Sequence, residues 1–185
     1  MKVILFGKGS VIVVVMETWK QCVKMKLPNG KVVDILADVF SEMTKWIQTN
    51  AESPESGGYI VGYKHSETDN ITLENVSHPF PMDVKSRVHF KIMDKSHKRY
   101  LYQAEKGKSY YMGVWHTHPQ AIPEPSIIDW NDWYGTLECD RTACDYVFFL
   151  IAGTEAVRVW VGDFKNNKIT EIFECEKEGG LYKNI

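Results

Sequence analysis

The chain has 185 residues, of which 44% are hydrophobic, 12% aromatic and 25% charged, enough apolar material for one substantial core with no long polar stretch that must stay unfolded. A net charge of -2 and a pI near 6.3, with the lysines and arginines scattered, exclude an electrostatic footprint for nucleic acid. No apolar run is long enough to span a bilayer, so no membrane span is expected, and the four irregularly spaced cysteines read as the free thiols of a cytoplasmic protein.

Taken in order, the apolar Met1–Phe6 and Val11–Val15 are separated by Gly7-Lys8-Gly9-Ser10, and no small-x-small cleavage site follows before Trp19-Lys20. A signal peptide is therefore not expected. Gly7–Ser10 lacks the upstream glycine of a P-loop and reads as a turn between two strands. Val23–Leu27 and Lys31–Val33 flank Pro28-Asn29-Gly30, a β-hairpin signal. From Asp34 the period becomes helical: Ile35, Leu36, Val39, Phe40, Met43, Trp46 and Ile47 predict a helix of about four turns capped by Asp34.

The loop Thr49–Pro54 ends at Glu55, where a strand over Tyr59–Tyr63 begins. A glutamate beside Gly57 and Gly58 can come close to another strand's end, because glycines let backbones approach. By position alone Glu52 is as good a candidate. Strands are expected over Asn70–Val76 and Arg87–Ile92, and a helix over Asp94–Ala104 with Leu101 and Ala104 facing inward. His78-Pro79 has no partner ligand, and His89 and His97 read as ordinary strand and helix residues.

The apolar Tyr110–Trp115 predicts a buried strand that delivers His116 and His118 at its end. Residues i and i+2 of a strand share a face, so the two imidazoles point the same way. Ser126 and Asp129 read as N-cap and third helical position of a helix running to about Cys139. Imidazole nitrogens and a carboxylate oxygen are what Zn²⁺ accepts, so His116, His118 and Asp129 form a candidate ligand set. Three protein ligands leave a fourth tetrahedral position open, the arrangement of a catalytic site.

Strands are then expected over Asp145–Ala152, Ala156–Phe164 and Ile169–Cys175, with Asn166-Asn167 as a turn and Val147–Ile151 apolar on both faces. The charged, Gly-rich Glu176–Ile185 reads as a frayed tail. Without a linker or repeat, the chain reads as a single domain over 1–185 with its core at about 11–175. Cys22, Cys139, Cys144 and Cys175 are too few and irregular for a disulfide framework and read as free thiols. The spacing of Cys139 and Cys144 does not make a second zinc site, and no cysteine carries a papain-like signature.

His116-x-His118-Pro119, followed by Ser126 and Asp129, resembles the motif of the JAMM/MPN metalloprotease family without substitution at its defining positions. That family also has a distant Glu-x-Gly/Cys-Gly run entering an apolar strand, and Glu55-Ser56-Gly57-Gly58 is similar to it residue for residue. The match favours Glu55 over Glu52. The resemblance implies an α+β fold, a cytidine deaminase-like α-β sandwich with a curved mixed sheet flanked by helices. It implies one Zn²⁺ on His116, His118 and Asp129, Glu55 as general base and then acid, and Ser126 as a hydrogen-bond donor to the reacting oxygen.

The implied reaction is hydrolysis of a peptide or isopeptide bond after the C-terminal residue of a ubiquitin-like conjugated protein. The segment after Asp129 is short compared with eukaryotic ubiquitin-chain hydrolases, which argues against ubiquitin-chain selectivity, and the compact chain, the Gly57-Gly58 strand and the run from Pro123 to Trp130 look more like the bacterial branch. Within that branch it is most similar to the deconjugating peptidases of CBASS antiphage operons, whose substrate is a cGAS-like nucleotidyltransferase. Two alternatives stand beside this: trimming of a ubiquitin-like sulfur-carrier protein, and a non-catalytic MPN scaffold, whose members have usually lost ligands. A zinc nucleoside deaminase would need a His-x-Glu and a Cys-x-x-Cys, and neither is present.

Overall fold

A computed structural model describes residues 14–15, 21–178 and 181–183. The first elements are β1 (Val14–Val15), β2 (Val23–Lys26), β3 (Val32–Ile35), α1 (Ala37–Thr44), β4 (Gly57–Lys64), β5 (Ile71–Val76), β6 (Val84–Ser86) and β7 (His89–Lys91). They are followed by α2 (Ser96–Lys106), β8 (Tyr110–Thr117), α3 (Ile127–Cys139), β9 (Tyr146–Ala152), β10 (Ala156–Asp163), β11 (Lys168–Ile172), β12 (Glu176–Glu178) and β13 (Leu181–Lys183). One sheet runs in the order β1-β10-β9-β8-β4-β5-β3-β2, with β11 also on β10. The β8–β9 and β3–β5 pairs are parallel and the others antiparallel, so the sheet is mixed, as the α+β expectation required.

Strand β9 shows how the core forms. All seven of its residues are buried. Phe148, Leu150 and Ala152 enter the cluster that holds Val39, Phe40 and Met43 of α1, whereas Val147, Phe149 and Ile151 enter the cluster of Trp133 and Leu137 from α3. The period of two sends alternate side chains to opposite faces, and a helix covers each face. Trp133 anchors α3 by stacking on Phe149, with ring centroids 4.7 Å apart, and lies 5.2 Å from Trp160. Truncating such a buried aromatic costs about 3–5 kcal/mol.

The hairpin at Asn29-Gly30, the strands at 57–64, 71–76, 110–117, 146–152, 156–163 and 168–172, and the helix capped by Ser126 follow the sequence reading. Four expectations are corrected. Asp34 does not cap a helix: β3 continues through Ile35 because it pairs with β2 on one side and β5 on the other, and Asp34 forms an ion pair with Lys24 at 2.6 Å. The helix is consequently shorter, Ala37–Thr44, with Leu36 at its cap and no side-chain cap bond. The strand expected over Arg87–Ile92 is a hairpin of β6 and β7 whose tip is Arg87-Val88, residues that carry no turn signal.

On α2, Leu101 and Ala104 are only partly buried, and His97 is the residue that faces fully inward. The tail is the fourth correction: Glu176–Glu178 pairs antiparallel with Leu181–Lys183. The rejected signal peptide and the Gly7–Ser10 turn lie outside the described residues. Among the described residues no helix is long and apolar enough to cross a membrane.

Candidate metal centre

Sheet register brings the two halves of the site together. Strands β4 and β8 are antiparallel neighbours, with Gly57 opposite His116 and Gly58 opposite Trp115. A Cβ on Gly58 would stand 2.2 Å from the Ser77 carbonyl oxygen, and one on Gly57 would stand 2.5 Å from that of Trp115. Only glycine allows this approach. Beyond the ladder, Thr117 N–H donates to the Ser56 carbonyl at 2.8 Å and Ser56 N–H donates to Thr117 Oγ1 at 3.0 Å. Glu55, next in the chain, is thereby fixed beside the histidines, and its own N–H donates to the Ser86 carbonyl at 2.8 Å.

The third contributor is α3. Ser126 and Asp129 form a capping box: Asp129 N–H donates to Ser126 Oγ at 3.2 Å, and Ser126 N–H donates to Asp129 Oδ2 at 2.5 Å. Asp129 and Trp133, four residues apart, lie on one helix face, so the packing of Trp133 on the sheet also aims Asp129 at it.

His116 Nε2 and His118 Nε2 are 3.0 Å apart, and Asp129 Oδ1 is 3.0 Å from the first while its Oδ2 is 3.4 Å from the second. Ligands bound about 2.0–2.1 Å from a tetrahedral zinc stand roughly 3.3 Å from one another, so these atoms already sit where a zinc ion would hold them. The donor chemistry agrees, with two imidazole nitrogens and a carboxylate. Among the described residues they form one group whose ligand atoms all lie within 4.8 Å. Gln120 Oε1 lies 3.4 Å from His118 Nδ1, which favours the tautomer with Nε2 bare.

Burial pushes the His116 imidazole below its ordinary pKa, and the Asp129 contacts only partly offset this, so the ring is neutral and able to bind a cation. At His118 burial acts the same way, but Asp129 and Glu55 outweigh it and raise the value. Burial opposes ionisation of Asp129, yet its close contacts with both imidazoles and with Ser126 hold its carboxyl well below the usual carboxylate range. Glu55 differs from all three. Its side chain is 8% exposed, its Oε1 lies 3.7 Å from His118 Nε2, and burial pushes its pKa up to about 7, with His118 opposing and Asp129 assisting.

The five residues singled out from the sequence therefore meet in one cleft of about 760 Å³. Its floor includes Val114 and Trp115, and the hairpin residues Val88–Ile92 and one side of α3 form its walls. Sequence reasoning missed the residues that hold these in place. Gln48 is 3% exposed; its Nε2 donates to the carbonyls of Ser53 and Arg87, both at 2.9 Å, and its Oε1 accepts from Thr117 Oγ1 at 3.4 Å. It ties the loop carrying Glu55 to the hairpin and to β8, and no local pattern marks it.

The model of prokaryotic homologs of the JAB domain matches residues 36–163, a span that contains every residue of this cleft. The chain belongs to the prokaryotic JAB family. Membership bears out the resemblance read from the two separated motifs. Relatives within reach of this JAB protein include a "CD-NTase/cGAS isopeptidase" of Escherichia coli, 29% identical over 143 residues, which covers 76% of this chain and 86% of the relative. A Vibrio cholerae protein of the same name is 25% identical over 147 residues, covering 78% and 89%. A solution structure of a Desulfitobacterium hafniense protein superposes with a TM-score of 0.53 at 19% identity, over 74% of this chain and 87% of that one, a likeness of fold.

Proposed function

We propose that this JAB protein is a zinc-dependent isopeptidase. It hydrolyses the bond after the C-terminal residue of a protein conjugated in a ubiquitin-like manner. In bacterial antiphage (CBASS) defence that protein is a cGAS-like nucleotidyltransferase, in keeping with the names of the two relatives. The reading places the enzyme in the cytoplasm, as a single catalytic domain with its core at about 11–175. The observation that carries it is Glu55: a buried carboxyl at the rim of a three-donor cation site, with a pKa near neutrality.

In this reading His116 Nε2, His118 Nε2 and Asp129 hold one zinc ion, and the cleft beside them takes the extended tail. A zinc ion there supplies Lewis acidity, which acidifies water and polarises a carbonyl. Glu55 takes a proton from the attacking water on a carboxylate oxygen and returns it to the leaving amine. A base with a pKa near the working pH does both well. Ser126 Oγ, exposed at the mouth of the cleft, donates to the oxygen that gains charge. Thr117 and Gln48 orient Glu55 from behind.

The test is metal analysis of the purified protein together with cleavage of a fusion that places a reporter behind the tail of a CBASS nucleotidyltransferase. Wild type should carry one zinc and cleave, and a chelator should stop it. Glu55→Gln should keep the zinc and lose about 10³-fold in rate. Cleavage by Glu55→Gln at the wild-type rate would remove Glu55 from its role. Turnover of a sulfur-carrier fusion in place of the nucleotidyltransferase fusion would redirect the substrate assignment.

A further inference from the structure

Residues 119–126 join His118 to the cap of α3, so their path decides where Asp129 stands relative to the histidines. Thr154 N–H donates to the Gln120 carbonyl at 2.8 Å and Glu155 N–H to the Ala121 carbonyl at 3.1 Å, laying the loop on the β9–β10 turn. The fit is tight, since a Cβ on Gly153 would stand 2.5 Å from the first of those carbonyl oxygens and 2.6 Å from the second. Inside the loop, Gln120 Oε1 accepts from Glu124 N–H at 2.8 Å.

The far half of the loop is tied to the sheet by Arg158. Arg158 Nη1 donates to the Pro123 carbonyl at 3.1 Å and also pairs with the Glu124 carboxylate. Its Nε and Nη2 fork onto the Glu171 carboxylate at 2.7 and 2.8 Å, and the guanidinium carbon lies 4.9 Å from the centre of the Trp160 ring. The side chain is 11% exposed. A guanidinium gripped by a carboxylate fork and an aromatic face on a core strand is a fixed post, and the planar fork that makes it so is specific to arginine.

We propose that Arg158 is a positioning residue for the metal centre: it pins the 119–126 loop so that Asp129 stands opposite His116 and His118 before an ion arrives. The inference rests on the metal reading above and adds to it a residue that is not itself one of the donors. Without the post the loop samples other paths, and affinity falls by the fraction of time in which Asp129 is in place. Electrostatics alone predicts the opposite, because removing a cation from the neighbourhood of a dication tightens its binding. The sign of the change separates the two effects.

The experiment measures the zinc dissociation constant of the metal-free chain by competition with a chelating dye. Wild type, Arg158→Met, Arg158→Lys and Lys165→Met are compared, with thermal unfolding of the metal-free forms alongside. Arg158→Met should weaken zinc binding about 10-fold or more, the size typical for loss of a residue that orients a ligand. Arg158→Lys keeps the charge but cannot span fork and carbonyl together, so it should be intermediate.

Lys165→Met removes the same charge from an exposed pair with Asp145 and should leave the affinity unchanged. A lower melting temperature for Arg158→Met with unchanged or tighter zinc binding overturns the proposal. If Arg158→Met does not fold, Arg158→Lys decides, since any weakening it shows is not a charge effect and unchanged affinity counts against the post. A wild-type chain that binds no zinc removes the metal reading itself, and the proposal with it.

Discussion

Among the described residues two histidine–carboxylate clusters invite comparison, and one of them has the makings of a site. In the first, His97 lies between Ser77 and Asp83, the trio of a hydrolytic triad, and all three are buried. Ser77 Oγ accepts from Tyr59 N–H at 2.8 Å, which leaves its proton for His97 Nδ1 at 2.9 Å, and His97 Nε2 donates to Asp83 Oδ2 at 2.8 Å. Asp83 also accepts from the N–H groups of Phe80, Met93 and Asp94 at 2.7 to 2.9 Å. Every donor meets an acceptor and none of the three lines the cleft of the metal centre, so the cluster ties the root of the β6–β7 hairpin to α2. In the second, two Nε2 atoms and two carboxylate oxygens crowd a single point at the edge of a cleft, an excess of lone pairs that a cation resolves. Saturation marks the structural cluster, and unmatched acceptors facing a cleft mark the candidate site.

Substitutions in each cluster test that division. His116→Ala has the largest expected effect: zinc content falls from one per chain to near zero and cleavage drops below detection, while circular dichroism and metal-free stability change little. A variant that keeps both zinc and turnover would break the assignment. His97→Ala should do the reverse. It strands the buried Asp83 carboxylate and should cost about 3 kcal/mol in chemical unfolding of the metal-free chain, with zinc still bound at one per folded chain. Unchanged stability there would show that the saturated cluster is not structural.

The smallest effect sharpens the contrast through pH. Burial raises Glu55 from an ordinary 4.5 to about 7, so between these values the unfolded chain has released a proton that the metal-free folded chain still holds. The folded state binds more protons, so stability falls as pH rises through that window. Glu55→Gln cannot ionise. Its metal-free form should therefore melt above wild type at pH 8 and together with it at pH 4. A constant difference at both values would mean that Glu55 titrates like an exposed glutamate.

Much of the site was legible because its residues are tied to local periodicities. A strand's period of two put His116 and His118 on one face, and the capping rule put Ser126 and Asp129 at a helix start. Gly57-Gly58 announced a close strand approach, and the Glu-x-Gly-Gly run chose Glu55 over Glu52. The Asp34 helix cap failed because ladder bonds to β2 and to β5, the latter made with residues distant in the chain, outweighed a local cap. The β6–β7 tip was missed because Arg87-Val88 turns without turn residues, held by Gln48 and by the contact of Arg87 Nη1 with the Ala51 carbonyl.

What the sequence determined by itself is the set of candidate groups and the family, since residue type, spacing and helix or strand period are local properties. Tertiary structure decided which of those groups can work together. The β4–β8 register set Glu55 beside His118, the packing of Trp133 turned Asp129 toward the sheet, and Arg158 and Gln48 hold the intervening loops. It also decided that His97, which shares the chemistry of the other two histidines, is a filled structural joint. Whether a polar atom is saturated depends on partners that only the folded chain brings together.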